Sequence, residues 1–164
     1  VNYAESIKSI PGFDTLISLK TGLSEHKMEM NYNNSITIHG TADYIKPRAF
    51  ITDLKFSAQI SDFEINKMFA DYEYHIRAAL YLDLWNYNNP NEKIDTFVYI
   101  IVQKSENPVA RFLIMSERDI DQGRLKYKQR ADKISEAYRS GEWIQNSMEP
   151  FELQGWVHEK QSYF

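Results

Sequence analysis

The 164-residue chain contains no cysteine. That absence excludes disulfide scaffolds, thiol nucleophiles, zinc knuckles and cysteine-ligated iron–sulfur clusters. Glycine and proline are sparse, at 6 and 5 residues. They punctuate rather than cluster, so neither a long linker nor an internal repeat is expected. No apolar run approaches the roughly 18 residues that a membrane span needs, and no secretory signal opens the chain. Charge of one sign is not in surplus either. The 19 Lys and Arg against 23 Asp and Glu give a formal charge of −4, which excludes a broadly basic nucleic-acid coat but leaves room for a local groove. What is present is core-forming material. Hydrophobic residues are 43% and aromatics 14%, too many for a disordered chain and enough for one domain over residues 1–164. The chain starts at Val1 rather than Met, so a preceding segment is expected.

Residues 3–20 read as short helical pieces broken at Pro11-Gly12. Strands are expected at 24–30, 36–45 and 50–56, separated by the turn Asn31–Ser35 and by Lys46-Pro47-Arg48-Ala49. Ser61-x-x-Glu64 is a capping-box pattern. From it, one long helix is expected to about Trp85, with Ile65, Phe69, Tyr72, Ile76, Ala79 and Leu80 on its buried stripe. Strands over 96–103 and 109–115 should follow. A second long helix begins after Ser116-x-x-Asp119, buries Ile120, Tyr127, Ala131, Ile134 and Tyr138, and stops at Gly141. The tail from Glu142 reads as irregular, with Trp143 and Trp156 pinning it to the body. The fold class is α/β in the broad, α+β-like sense: a central mixed, mostly antiparallel sheet flanked by helices.

The stretch with chemical content is Gly40-Thr-Ala-Asp43 followed by Asp53-Leu54-Lys55. Strand alternation puts Ile51, Asp53 and Lys55 on one face. With a three-residue loop at 47–49, Asp43 falls opposite Asp53, Cβ atoms about 5 Å apart. Two carboxylates that close repel unless a proton or cation lies between them. One hard divalent cation would resolve the conflict, since Mg²⁺ takes one or two carboxylates plus phosphate oxygens. Lys55 would then reach the attacked phosphate, and the set would be equipped for phosphodiester hydrolysis. The competing explanation is a cross-strand ion network on a solvated face. An acid-x-Lys triplet also arises by chance, and Glu25-His26-Lys27 is such a match in this chain.

The order Gly-x-x-Asp43, hairpin, Ile-x-Asp53-Leu-Lys55, then a helix with Tyr-His-Ile-Arg-Ala-Ala-Leu-Tyr (74–81), resembles the PD-(D/E)xK nuclease superfamily. More narrowly it is similar to the RecE (exonuclease VIII) and RecB-like branch, including phage exonucleases. Phe97–Lys104 with Pro108, Gly123-Arg124-x-x-Tyr127, Gly141-Glu142-Trp143 and Leu153-x-x-Trp156 extend the resemblance over roughly residues 24–157.

The resemblance implies a restriction-endonuclease-like core and a metal-dependent DNA nuclease, most closely a 5′–3′ double-strand exonuclease of the phage recombination type. It implies Mg²⁺ or Mn²⁺ on Asp43, Asp53 and the Leu54 carbonyl, with Lys55 as the catalytic lysine. The family's Gln-x-x-x-Tyr is Arg77-x-x-x-Tyr81 here, a pair of substrate contacts on one helix face. Gln103 and Lys104 are further candidates for contact, and Glu25 matches an upstream acidic position. The branch's upstream helix with a metal-binding histidine has no counterpart here: His26 and His39 fall on strands. Also implied are double-stranded DNA ends as substrate, a single-strand annealing protein as partner, a ring homo-oligomer, and a cytoplasmic, bacterial or phage-encoded protein without membrane contact. A repair or restriction endonuclease and a non-catalytic DNA-binding or assembly module are the rival readings.

The remaining features read as structural. His75 falls on the helix at the boundary between core and solvent, and His158 lies in the tail. Tyr72, Tyr74, Tyr81 and Trp85 read as core and core edge rather than a base-stacking platform. Arg124, Lys126, Lys128, Arg130 and Lys133 are interleaved with acids and read as a solvated helix face.

Overall fold

The computed structural model describes residues 3–8, 13, 17–18 and 20–143. Helix α1 (Tyr3–Lys8) precedes strands β1 (Leu23–Tyr32), β2 (Ile36–Lys46) and β3 (Phe50–Ser57). Helices α2 (Asp62–Asp71) and α3 (Tyr74–Asn88) lead to β4 (Phe97–Gln103) and β5 (Ala110–Ile114), and α4 (Glu117–Ser140) follows. One five-stranded sheet has the order β1-β2-β3-β4-β5. Its pairings are antiparallel except β3 with β4, which run parallel. A parallel neighbour needs a crossover, and α2 with α3 provide it.

Local chemistry accounts for the boundaries. Asn33 and Asn34 both take positive φ, 51° and 54°, and Ser35 N–H donates to the Tyr32 carbonyl at 3.1 Å. The three-residue connection 33–35 between paired Tyr32 and Ile36 is thus built on a left-handed turn of the kind Asn tolerates. In the next hairpin Pro47 precedes Arg48 at φ 62°, and Ala49 N–H closes on the Lys46 carbonyl. Ser61 and Ser116 cap α2 and α4, accepting from the N–H groups of Glu64 and Asp119. Gly141, at φ 74°, ends α4 by donating to the Ala137 carbonyl.

The main core lies between the sheet and helices α3 and α4. Met28, Met30, Ile45, Ile51, Phe97, Tyr99 and Ile101 meet Ala78, Ala79, Leu82, Trp85, Ile120 and Tyr127 there. A smaller cluster on the opposite face joins Ile7 to Ile100 and Val102. Helices α3 and α4 cross at Gly123, where an added Cβ would fall 2.0 Å from the His75 carbonyl oxygen. Asp83 then ties the pair together, accepting from Arg124 at 3.0 Å and from the Tyr127 hydroxyl at 2.5 Å.

Three expectations are corrected. The helix expected from Ser61 to Trp85 is two helices, broken at Tyr72-Glu73. Glu73 sits at φ 48°, a conformation outside any right-handed helix. Tyr72 is accordingly 69% exposed instead of core. The buried stripe of α4 is Ile120, Gly123, Tyr127, Ala131 and Ser135, while Ile134 and Tyr138 are exposed. Helical period marks spacing but not where the partner helix stops covering it. Trp143 is exposed rather than a pin, and Leu153, Trp156 and His158 lie outside the described residues. Gly123→Ala should destabilise the fold by about 1–3 kcal/mol, the usual range for overpacking. Urea unfolding would show a lower midpoint at an unchanged slope.

Candidate active site

Strand β3 pairs on both sides, with β2 at Thr52–Tyr44 and with β4 along Ile51–Ser57. Its central residues are therefore enclosed, and Asp53 is 3% exposed. The face shared by Ile51, Asp53 and Lys55 turns toward α3, as alternation requires. There the Lys55 ammonium is in ion-pair contact with Asp53 Oδ2, and Arg77 of α3 lies 3.6 Å from Oδ1. Oδ2 is buried and takes no hydrogen bond in addition to that ionic contact. Lys55 also donates to the Leu54 carbonyl at 3.3 Å.

Asp43 does not stand as an opposed ladder partner of Asp53. The β2–β3 ladder ends at Tyr44–Thr52, and Asp43 Oδ2 accepts from Leu54 N–H at 2.6 Å. A side-chain carboxylate has taken over the acceptor position that a backbone carbonyl would fill. The same point is irregular in β1. Glu25 has φ 49°, and the β1–β2 ladder skips from Ser24–Tyr44 to His26–Ala42. Alternation slips across this point. Met28, Met30 and Ala42 belong to the α3-side core, yet so does Ile45, while Tyr44 turns to Ser18 on the other side. Glu25 and Asp43 thereby border one cavity of about 440 Å³ with Ile7, Tyr44, Thr52 and Leu54. Lys27 is exposed and His26 packs edge-on to Trp85, so Glu25-His26-Lys27 does not rebuild the Asp53–Lys55 arrangement.

Aromatic rings seal the inner side. Tyr74 stacks on Tyr99 at 5.2 Å between centroids, and Phe69 meets both edge-on. Lys55 Nζ and Arg77 lie 5.6 and 5.9 Å from the Tyr74 ring centre, within cation–π range. The Tyr99 hydroxyl donates to the Tyr74 carbonyl. Tyr81, one turn from Arg77, stands against Phe97 and is the ring that a Cβ at Gly40 would strike. Burial pushes the hydroxyl pKa values of Tyr81 and Tyr99 up, so both remain neutral.

Desolvation raises the Asp53 pKa above the ordinary aspartate range, and the Asp43 charge adds to the rise. Lys55 and then Arg77 oppose it. The structure thus brings Asp43, Asp53, Leu54, Lys55, Arg77 and Tyr81 into one neighbourhood. Glu25 stands apart from Asp53 and Lys55: with Asp43 and Leu54 it lines the cavity on the opposite, α1-side face of the sheet. Gln103 is further along, paired with Ser57 and donating to the Ala58 carbonyl at 3.4 Å; Lys104 is exposed beyond it. Tyr74 and Tyr99 are members that the sequence reading did not assign to the site. Tyr99 had a signal, a hydroxyl-bearing ring inside the apolar run Phe97–Val102; Tyr74, flanked by Glu73 and His75, had none.

Donor chemistry fits a hard divalent cation. Two carboxylates near enough for the Asp43 charge to raise the Asp53 pKa stand beside the Leu54 carbonyl, all hard oxygen donors of the kind such an ion takes. Among the described residues no three His, Cys, Asp or Glu side chains cluster closely enough to form a full protein cage. Elsewhere, Arg124, Lys126 and Arg130 are engaged within the protein by Asp83, Asp121 and Glu73. His75 is half-buried, its pKa lowered first by desolvation.

A sequence profile described as "PDDEXK-like domain of unknown function (DUF3799)" matches residues 3–150. The fold is similar to the crystal structure of a "Putative exonuclease" from Eubacterium rectale, with a TM-score of 0.64 and 16% identity. The alignment covers 98% of this chain and 65% of that one, so this chain spans just under two-thirds of the neighbour's length. A search among curated proteins finds no match.

The raised pKa of Asp53 has a defined sign. The contribution of its protonated form to stability is complete below the unfolded-state pKa and is lost as pH rises through the higher folded value. Carboxyl ¹³C NMR should place its midpoint above the ordinary aspartate range, and Lys55→Met should raise it further. A midpoint in the ordinary range, or a fall in that variant, would contradict the burial account.

Proposed function

This chain belongs to the PDDEXK-like family DUF3799, in the PD-(D/E)xK nuclease superfamily, and from that premise we propose that it hydrolyses DNA phosphodiester bonds with Mg²⁺ or Mn²⁺. We assign it as a 5′–3′ double-strand exonuclease of the phage recombination type, working in the cytoplasm on DNA ends with a single-strand annealing partner. The observation that carries this reading is Asp53, a buried carboxylate with two cationic side chains, Lys55 and Arg77, converging on it. Burying an ionised carboxylate costs several kcal/mol unless its partners offset it. A fold keeps such a group where the charge has work to perform. No helix among the described residues is long and apolar enough to cross a membrane.

Asp43 and Asp53, with the Leu54 carbonyl, would hold the cation. When bound, the cation lowers the pKa of a water and offsets charge developing on the phosphate. The protein's own residues supply the rest. Asp43 is fixed by Leu54 N–H. Lys55 sits on the Asp53 face and exchanges its carboxylate contact for the reacting phosphate, where its ammonium stabilises the pentavalent arrangement. Arg77 offers a fork of donors to a flanking phosphate. The Tyr74–Tyr99–Phe69 wall keeps water from the inner side, which strengthens each of these charge interactions.

Digestion of end-labelled linear duplex beside a closed circle tests the reading. Linear DNA should disappear only with Mg²⁺ or Mn²⁺, the circle should persist, and EDTA should stop the reaction. Asp53→Ala should reduce cleavage to background while the circular dichroism spectrum stays native. Lys55→Ala should lower kcat about 10²–10³-fold, as loss of one transition-state charge does. Undiminished cleavage by Asp53→Ala would overturn the site. Loss of the circle would make the protein an endonuclease. DNA binding without cleavage would favour the non-catalytic assembly module.

A further inference from the structure

In a continuous α-helix, residues two apart point about 200° from each other and cannot touch. Tyr72 and Tyr74 nevertheless stack, with centroids 5.7 Å apart and planes 19° from parallel. The contact exists because the chain breaks between them at Glu73, whose φ of 48° is unfavourable for any residue with a Cβ. Lys126 and Arg130 of α4 grip the Glu73 carboxylate at 3.3 and 2.7 Å. An unfavourable backbone kept in place by surrounding structure is a reason to look for a function. What this one achieves is the placement of Tyr72. Its ring is 69% exposed, while Phe69 on the same turn goes inward against Tyr74 and Tyr99. Rings thus run in series from the surface inward: Tyr72 on Tyr74, and Tyr74 on buried Tyr99. Both site cations, Lys55 and Arg77, lie within 6.0 Å of the middle ring's centre.

We propose that Tyr72 is a stacking platform for the unpaired terminal base of a DNA strand whose phosphate is held by Lys55 and Arg77. The inference rests on the nuclease reading for its substrate class. Its chemistry is general: every base has a π face, so stacking on an exposed ring is tolerant of sequence. A base inside a duplex has both faces covered, and a frayed or single-stranded terminal base has one free. A platform beside the phosphate-binding cations therefore selects ends. Tyr72 touches substrate but takes no part in bond cleavage; it is a positioning residue.

Binding without cleavage tests this apart from catalysis. The intact chain is titrated in EDTA against duplex DNA carrying 2-aminopurine at a frayed terminal position or at an internal one. The terminal probe should be quenched by the wild type and by Tyr72→Phe. Tyr72→Ala and Tyr72→Leu should lose that quenching and bind the end about 5- to 100-fold more weakly. Thermal melts of the four proteins should agree, because the ring is exposed. Wild-type quenching by Tyr72→Leu, a Tyr72→Phe as weak as Tyr72→Ala, or equal quenching of the internal probe would overturn the platform. Asp53→Ala separates the two readings. If it still degrades DNA, the catalytic assignment fails, while quenching that depends on Tyr72 continues to support the platform. No binding of DNA ends by the wild type overturns both.

Discussion

Burial of the Asp53 carboxylate is the constraint around which the rest is arranged. A charge at 3% exposure is tolerable only with cations and dipoles placed to meet it. Strand β3 supplies Lys55 two residues on, and α3 supplies Arg77 from above. For Arg77 to arrive there, α3 must lie close over the sheet. Gly40 permits that approach on the sheet side, where a Cβ would crowd Tyr81 and Leu84 at 2.8 Å. Gly123 permits α4 to press α3 down from behind. The core and the charge cluster are thus parts of one packing solution, and a glycine remote from Asp53 in sequence helps determine where its cations stand.

The same logic joins two irregularities. Asp43 replaces a ladder carbonyl at Leu54 N–H, and Glu25 kinks the neighbouring strand at the matching position. Together they swing β1 and β2 so that acidic groups border a cavity instead of following pleat alternation. The register is the same on both sides of Glu25, so no residue is inserted, and the irregularity re-aims side chains without shifting the pairing. Helix α3 begins with a comparable departure at Glu73, held by α4. Both departures occur where side-chain charge outweighs backbone regularity, and both border the Asp53 neighbourhood.

Local signals were legible in the sequence. The Asn33-Asn34 turn, the Ser61 and Ser116 caps and the Gly141 stop depend on residues within a few positions of each other. The common face of Asp53 and Lys55 follows from strand alternation alone. The resemblance to PD-(D/E)xK nucleases rested on the spacing of these same residues and agrees with the family and the fold. Long-range determinants were not legible. Glu73 breaks the helix with help from Lys126 and Arg130, 53 and 57 residues away, and no window around Tyr72 contains them. The slip at Asp43 needs three strands side by side before a carboxylate can enter the ladder. Ile134 and Tyr138 keep a helical period that the partner helix does not reach to cover.

The central claim is that Asp53, with Asp43 and the Leu54 carbonyl, is built to share one divalent cation with a phosphate. Calorimetric titration of the intact chain with Mn²⁺ tests it most directly, because it reads binding without catalysis. The account predicts one ion per chain in the wild type, none in Asp53→Ala, and retained binding in Lys55→Ala, whose ammonium serves the phosphate. A wild type that binds no ion, or an Asp53→Ala variant that binds it undiminished, would contradict the account.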